Sequence, residues 1–584
     1  MSVQADAAPR PGGLAAYVPG LALLRSYEKR WIRADLVAGA VLAAILVPQG
    51  MAYAELAGLP AVTGLYTTIA CLVGYAVMGP SRILVLGPDS SVSPLIFAAI
   101  VPLLAAPNDP AMAITLAGMM ALLVGAIMIG LGVAKLGFVA DLLSKEVQVG
   151  YMNGLGITII VSQLPKLCGF STDADGFVDE VRAFVSDLDK TNTTTFIVGL
   201  TTLAFLLVLP RITTKVPAIL VAIVGVTATS AFLNLSAHGV KTVGALPQGL
   251  PTPGLPWTQI TDVGPLLIAA VGITLVSLTD TIATSTSFAA RRGDEVHPDQ
   301  ELIGLGTANV AAGLFQGFAV STSGSRTAVA EQSGAKSQLT GLFGAAVVTV
   351  LLLFLNGLLA DLPQTALAAV VITAALSLMD ISAVRRYWQI RRTAMIVSLV
   401  GTAGVVLLGV LQGIVVAVVL SILLFFRRSW WPHGAVLGHV PGEGWHSLET
   451  HGGAEEPGVL VYRWEAPLFF ANSGLFRQQL RSLIREKDAR WVVLQCEAVT
   501  DIDVTAAEML ERLDKQLNEQ GVHLAFVELR SRLQDLLRGY RLFETLEADH
   551  FYTSIDAALE AIAASDAAAA DDTGSEPAIN RESP

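Results

Sequence analysis

Long uncharged apolar stretches, separated by short polar connections, fill the chain from Leu36 to Phe426. Leu36–Ala54 carries no charge, and neither do Leu56–Pro80, Ser90–Pro107, Ala111–Ala134, Val147–Pro165 or Phe196–Pro210. Val216–Ala237, Val263–Thr279, Leu302–Val320, Ser337–Ala360 and Leu362–Met379 follow. A bilayer core takes roughly 20 mostly apolar residues per helix, so each stretch predicts a span. Ala394–Phe426 is too long for one span, and Gln412-Gly413 marks a turn within it. A fourteenth element is predicted in Ser321–Gly334, which is too short and polar to span alone. It fits only as a half-helix lining a cavity, where irregular backbone can be satisfied at membrane depth.

From Gly458 the pattern changes. Gly458–Trp464, Trp491–Cys496 and Val522–Leu529 are short apolar runs of strand type. Asn472–Lys487 and Val504–Gln520, between them, show helical periodicity with charged faces. Strands alternating with helices predict a small α/β domain of about 100 residues. Trp430–Pro457, rich in Gly, Pro and His, reads as a linker, and the Ala/Asp/Ser tail beyond Ala564 has nothing to bury. The predicted division is a cytoplasmic N-terminal segment (1–34), a transmembrane domain (35–428), a linker (429–457), an α/β domain (458–564) and a disordered tail (565–584).

Charge placement orients the spans. Arg25, Lys29, Arg30 and Arg33 precede the first one. Alternate connections carry Arg82, Lys135, Lys145, Arg211, Lys215, Arg291, Arg292, Lys336, Arg385, Arg386, Arg391 and Arg392. The opposite connections carry only Lys166, Arg182, Lys190 and Lys241. By the positive-inside rule this predicts a multi-pass inner-membrane protein with both termini cytoplasmic. The first 34 residues lack an apolar core segment, so no signal peptide is expected.

Composition narrows the class. With 53% hydrophobic and 15% charged residues, against about 25% charged in soluble domains, a wholly soluble or disordered chain is excluded. Cys71, Cys168 and Cys496 match no metal-ligand spacing. The net charge of −12 is unevenly spread and says little about partners. No phosphate-binding glycine loop, catalytic triad or nucleic-acid patch occurs. The chain therefore reads as a non-enzyme without a cofactor, powered by ion gradients.

Polar groups inside spans are expensive and so informative. Pro48-Gln49-Gly50-Met51-Ala52-Tyr53 marks a loosened stretch of the first span, with Gln49 and Tyr53 on one face. They serve either a substrate or interhelical hydrogen bonds. In Leu86-Gly87-Pro88-Asp89-Ser90-Ser91, Gly-Pro breaks the chain, and Asp89 and Ser90 are good caps for a half-helix. Its N-terminus either holds an anion or is filled by Asp89 itself. Ser321-Thr322-Ser323-Gly324-Ser325-Arg326-Thr327 supplies hydroxyls and a permanent positive charge at a second half-helix start. Arg326 faces a substrate cavity or pairs with Asp280 or Glu331. Asp280 is an acid within a span, so it either holds a coupling proton or sodium ion or neutralises Arg326; Glu331 could do either. Glu55 reads as interfacial.

The two interrupted segments lie third in the first seven spans and third in the second seven. An odd count per half inverts one half relative to the other, and matched interruptions then point to a midplane site in a secondary transporter. Two positive dipole ends plus Arg326 favour an anion.

These residues resemble the sulfate permease family, also called solute carrier family 26. Pro48–Tyr53 with Leu56-Ala57-Gly58-Leu59-Pro60 and Gly64-Leu65-Tyr66 resembles its first-span signature. Gln300-Glu301-Leu302-Ile303-Gly304-Leu305-Gly306 and Ser325-Arg326-Thr327-Ala328-Val329 resemble its second-half signature. The C-terminal domain is similar to the STAS domain, named after sulfate transporters and anti-sigma factor antagonists. The resemblance implies an α-helical polytopic fold of 14 spans in 7+7 inverted repeats, with a core domain (spans one to four and eight to eleven) and a gate domain. It places the anion beside Gln49, Tyr53, Asp89, Ser90, Ser323, Gly324, Ser325 and Arg326. It also gives Asp280 the acidic position of span eight and implies elevator-type motion within a homodimer. Two positions depart from it: Asp89 replaces an apolar or small residue, and Glu331 replaces a commonly uncharged one. The extra acids suggest proton coupling through Asp280, Asp89 and Glu331. Asp503-Val504-Thr505 aligns with a loop that carries a phosphorylatable hydroxyl in anti-sigma antagonists, so Thr505 holds either an acceptor site or the inert first turn of a helix capped by Asp503. A cytoplasmic partner of this domain is a further expectation.

The expectation is therefore a proton- or sodium-coupled transporter of small oxyanions, sulfate above all. Bicarbonate, a dicarboxylate, an uncoupled anion channel or exchanger, and a sensor that only binds the anion remain as alternatives.

Overall fold

The computed structural model describes residues 18–104, 109–172, 176–213, 217–256, 263–546 and 548–573. Most of the N-terminal segment, Lys215 and the final residues from 574 lie outside the described residues. The chain divides into two units, Met1–Ile422 and Leu423–Pro584.

The first unit contains the fourteen expected helical elements. They are α1 (Ile32–Leu56), α2 (Ala61–Met78), α3 (Ser93–Ile100), α4 (Pro110–Val133), α5 (Lys145–Cys168), α6 (Thr193–Ile212) and α7 (Ala218–Leu233). The second seven are α8 (Gly264–Arg292), α9 (Pro298–Leu314), α10 (Gly324–Gln332), α11 (Leu339–Phe354), α12 (Gln364–Leu378), α13 (Arg392–Leu408) and α14 (Val410–Trp430). The third element of each seven is short, eight residues in α3 and nine in α10. The long apolar helix expected over 394–426 breaks at Gly409, not at Gln412-Gly413. Gly409 adopts φ +97° and ψ 165°, a backbone state that L side chains rarely enter, and Gly413 stays helical.

The helices pack as two groups. In one, α1 packs on α2 and α11, and α9 on α2 and α4, while α8 packs on α3 and α4. In the other, α5 packs on α12 and α13, and α6 on α7 and α12. The first group is drawn together at a glycine seam. A Cβ on Gly125 would lie 2.7 Å from the Gly306 carbonyl, and one on Gly313 would lie 2.6 Å from the Gly118 carbonyl. Glycines seven apart on both α4 and α9 let the two backbones touch, as small residues do in membrane bundles.

The second unit is an α/β domain. Its six strands are β3 (Gly434–Val440), β4 (Gly444–Ser447), β5 (Val459–Trp464), β6 (Trp491–Gln495), β7 (His523–Val527) and β8 (Phe551–Tyr552), in the order β4-β3-β5-β6-β7-β8. The pairs from β5 to β8 are parallel, and β3 is antiparallel to both its neighbours. Side chains alternate between two cores. Leu460, Tyr462, Trp464, Val492 and Leu494 face one with Phe476 and Leu480, while Val461, Trp491, Val493 and Ala525 face the other with Ile555, Ala558 and Ile562.

Two boundaries need correction. The predicted linker 429–457 contains β3 and β4, because Leu437 has a buried face to fill against Val461 and Val493. The predicted tail from 565 is helical as far as Thr573, as the continuation of the Ile555–Thr573 helix whose Ile562 is buried.

Candidate functional site

Both half-helices of the first unit are reached through a two-residue strand. β1 (Leu86–Gly87) pairs antiparallel with β2 (Ser321–Thr322), Leu86 opposite Thr322 and Gly87 opposite Ser321. The Ser323 amide donates to the Val85 carbonyl at 3.2 Å, and the Val85 amide donates to Thr327 Oγ1 at 3.1 Å. This stitching satisfies irregular backbone at depth and brings the chain before α3 against the chain before α10.

At that junction Arg326 is 1% exposed. Its Nη1 donates to the Pro88 carbonyl at 2.7 Å and its Nη2 to Asp89 Oδ2 at 3.2 Å. The guanidinium is thus held by Asp89, and neither Asp280 nor Glu331 is its partner. A cavity of about 450 Å3 in this unit lies elsewhere, lined by Glu55, Leu59, Pro60, Lys166 and Gln364 among others. Arg326 Nε is buried with no partner among the described residues. Gly87 fixes how close the guanidinium comes, since a Cβ there would lie 2.7 Å from Arg326 Nη1.

Asp89 also holds the turn ahead of α3. Its Oδ1 accepts from the Ser91 amide at 3.0 Å and the Ser91 hydroxyl at 2.9 Å, and its backbone carbonyl accepts from the Ser93 amide and hydroxyl. The carboxylate thus takes the Ser91 amide in the turn ahead of α3, while no side chain caps the helix Ser93–Ile100 itself. Tyr53 is buried, with Ser90, Asp89 and Arg326 among the groups within its electrostatic reach. Gln49, one turn earlier, is buried with Oε1 unpartnered among the described residues. At α10, Ser323 Oγ lies 3.1 Å from Ser325 Oγ, Gly324 is half-buried, and Ser325 is exposed.

The two remaining acids part company. Asp280 joins the site, its Oδ2 accepting from Ser91 Oγ at 3.0 Å and its Oδ1 facing Gln148 Nε2 of α5 at 3.4 Å. Glu331, near the other end of α10, pairs with Arg291 at 3.6 Å. Sequence reasoning did not single out Ser91 or Gln148. The signal for Gln148 was a polar side chain inside an uncharged stretch, the same signal that marked Gln49. Two further buried acids lie away from the site and hold hydroxyls. Asp35 accepts from Ser337 and Thr340 at the start of α11, and Glu301 accepts from Tyr75 and Ser81.

In the second unit Asp503 caps the helix Val504–Asn518 through the Ala506 amide at 2.8 Å, and its other oxygen accepts from the Phe470 amide. Thr505 is exposed in the first turn.

Sequence comparison then identifies the family. Residues 32–401 match the profile of the Sulfate permease family, and residues 454–558 match the STAS domain. The chain belongs to the sulfate permease family. A "probable sulfate transporter" of Mycobacterium tuberculosis is 40% identical over 551 residues, covering 94% of this chain and 98% of that one. A "probable sulfate transporter 3.3" of Arabidopsis thaliana is 29% identical, covering 90% of this chain and 87% of that one. The structure described as the murine solute carrier 26 family member A9 anion transporter in the inward-facing state superposes with a TM-score of 0.87. It is 25% identical, and the match covers 96% of this chain and 97% of that one. This member of the sulfate permease family is accordingly a multi-pass membrane protein that transports anions and is not an enzyme.

Proposed function

We propose that this family member is a secondary active transporter of small oxyanions, sulfate first, coupled to protons through Asp89 and Asp280. The observation that carries the reading is the Arg326–Asp89 pair. Asp89 sits on the guanidinium and on the Ser91 amide in the turn that leads into α3, a charged donor and a backbone donor such as an oxyanion would use. It is a resident stand-in for substrate. An incoming anion must displace it, and displacement is easiest once Asp89 is neutral. A displaced, ionised Asp89 beside the anion would add like-charge repulsion in a buried site.

The sulfate transporters among the relatives support sulfate as the first candidate. Protons suit the acids better than sodium, because Asp280 is faced by a hydroxyl and an amide with Gln148 oriented as a donor, whereas sodium calls for several oxygen ligands. Gln49, Tyr53, Ser90, Ser323, Gly324 and Ser325 line the proposed anion position. Glu331, tied to Arg291, is left out of the coupling set. The two packing groups suit an elevator in which α1–α4 and α8–α11 move against the rest. A homodimer in the inner membrane with cytoplasmic termini, and a STAS partner that reads Thr505, are the accompanying expectations.

Uptake into proteoliposomes tests the reading, with sulfate, bicarbonate, succinate and chloride offered under separately imposed pH and sodium gradients. Sulfate accumulation driven by inward protons is expected, and Asp89→Asn should remove its pH dependence. Accumulation driven by sodium alone, or current without accumulation, would overturn the proposed coupling.

A further inference from the structure

The Ser91 hydroxyl lies between the two acids of the site. Its Oγ lies 2.9 Å from Asp89 Oδ1 and 3.0 Å from Asp280 Oδ2. A serine hydroxyl has one proton to donate, so it cannot satisfy two ionised carboxylates at once. If both were ionised, one of these contacts would set oxygen lone pairs against each other in a buried site. One carboxyl must therefore carry a proton and donate it to Ser91 Oγ.

The surroundings decide which. Asp89 is held by the Arg326 guanidinium and by the Ser91 amide, both donors that favour a carboxylate. Asp280 faces the Gln148 amide at 3.4 Å, and Lys145 and Tyr151 of the same helix are within electrostatic reach of it. Helix α4 carries no titratable residue. On α9, Asp299 accepts from the Gly137 amide and Glu301 from Tyr75 and Ser81, so neither turns to Asp280. Tyr53 of α1 lies on the Asp89 side. Asp280 and Gln148 are half-buried, whereas Asp89 and Arg326 are buried. The proton can be loaded at Asp280 and is needed at Asp89.

We infer that Ser91 is a proton relay that passes a proton from Asp280 to Asp89 when an oxyanion takes Arg326. The step moves one proton and no electrons. The Asp280 O–H bond breaks as its proton bonds to Ser91 Oγ, and the Ser91 proton passes to Asp89 Oδ1. Asp280 is left ionised, facing Gln148, and Asp89 is left neutral and released from the guanidinium. This rests on the proton-coupled reading above. It adds that two carboxyl groups in different spans share one proton through a residue that need not touch the substrate.

The test compares two readouts in proteoliposomes, sulfate accumulation under an imposed pH gradient and sulfate counterflow at equal pH. In Ser91→Ala the ratio of accumulation to counterflow should fall about tenfold, within the range usual for coupling between two sites. Ser91→Thr, which keeps the hydroxyl, should restore it. A second measurement does not depend on that rescue. Adding Ser91→Ala to Asp280→Asn should change the ratio no further, because the relay then has no proton to pass. An unchanged ratio in Ser91→Ala, or fully additive losses in the double variant, would overturn the relay while leaving proton coupling intact. If the unsubstituted protein shows no pH-driven accumulation, the coupling reading itself fails, and that outcome is separable because it appears before any substitution.

Discussion

The tips of α3 and α10 are built alike and charged oppositely. Each is a short helix entered through a two-residue strand, each carries hydroxyls in its first turn, and the strands pair with each other. Yet the first arm presents Asp89 and the second Arg326, and the two charges join at 3.2 Å. A symmetric pair of positive tips would bind an anion at all times. On the proposed reading, opposite charges make the site self-occluding, open to a guest only when the acid is neutralised, and the difference between the arms is where energy coupling enters.

The largest break of this comparison is removal of the cationic side. Arg326→Gln should lower sulfate uptake by at least about 30-fold, since truncating one member of a buried charge pair costs ~2 kcal/mol or more. It should also destabilise the protein by about 3–5 kcal/mol through an uncompensated Asp89, and Asp89→Asn added to it should restore stability without restoring transport. Detergent-state thermal unfolding and uptake, measured on all three proteins, check both halves.

Next in size is a contrast between glycines. Gly87→Ala would press a methyl group onto Arg326 Nη1, and that buried, hydrogen-bonded guanidinium has nowhere to go. Overpacking of this kind costs about 1–3 kcal/mol, so uptake should fall roughly tenfold. Gly324→Ala, whose nearest neighbour would be Thr284 Oγ1 at 4.0 Å, should leave uptake within about twofold. Equal effects at the two positions would mean that the arms are spatially alike after all.

Smaller again is the loss of a hydroxyl on α10. Ser325→Ala alone should raise the sulfate KM by about twofold to tenfold while leaving the pH dependence unchanged, since a net hydrogen bond contributes roughly 0.5–1.5 kcal/mol. Uptake curves at two pH values separate affinity from coupling.

The smallest effect sharpens the comparison by removing a background. Burial pushes Glu180, in the connection between α5 and α6, up to about 6, partly offset by Lys166. A raised acid favours the folded protein while it is protonated, and that contribution is lost as pH rises from the ordinary carboxylate range through 6. Glu180→Gln should therefore match the unsubstituted protein in thermal stability at pH 4 and exceed it slightly at pH 8. Titrations of the Asp89–Asp280 pair are best read in that variant.

Much of the helical framework was legible because the bilayer imposes a length on every span, so an uncharged stretch has few other readings. The two broken helices were legible from Gly87-Pro88 and from the hydroxyl-rich run at Ser321. The partner of Arg326 was not. Asp89, Asp280 and Glu331 are equally charged on paper, and only the strand pairing, 237 residues apart in sequence, selects Asp89. Ser91 was hidden for another reason. Serine is unremarkable in a capping segment, and its weight comes from standing between two acids on different helices. In the second unit, β3 and β4 were masked by glycines and histidines, since Gly434, Gly438 and His439 dilute the alternation that Val436 and Leu437 would otherwise show. The break at Gly409 was missed because a single positive φ suffices to end one helix and begin another, and no polar residue announces it.

The ribbon of β1 and β2 constrains how cargo can be let go. Pulling the two arms apart would strand peptide groups in hydrocarbon, where each finds no water to replace its lost mate. Release by separating the jaws is therefore the costly route. On the proposed reading the tips travel together, and what changes between loading and discharge is which side chain sits on the guanidinium and which face of the membrane the intact cradle looks toward.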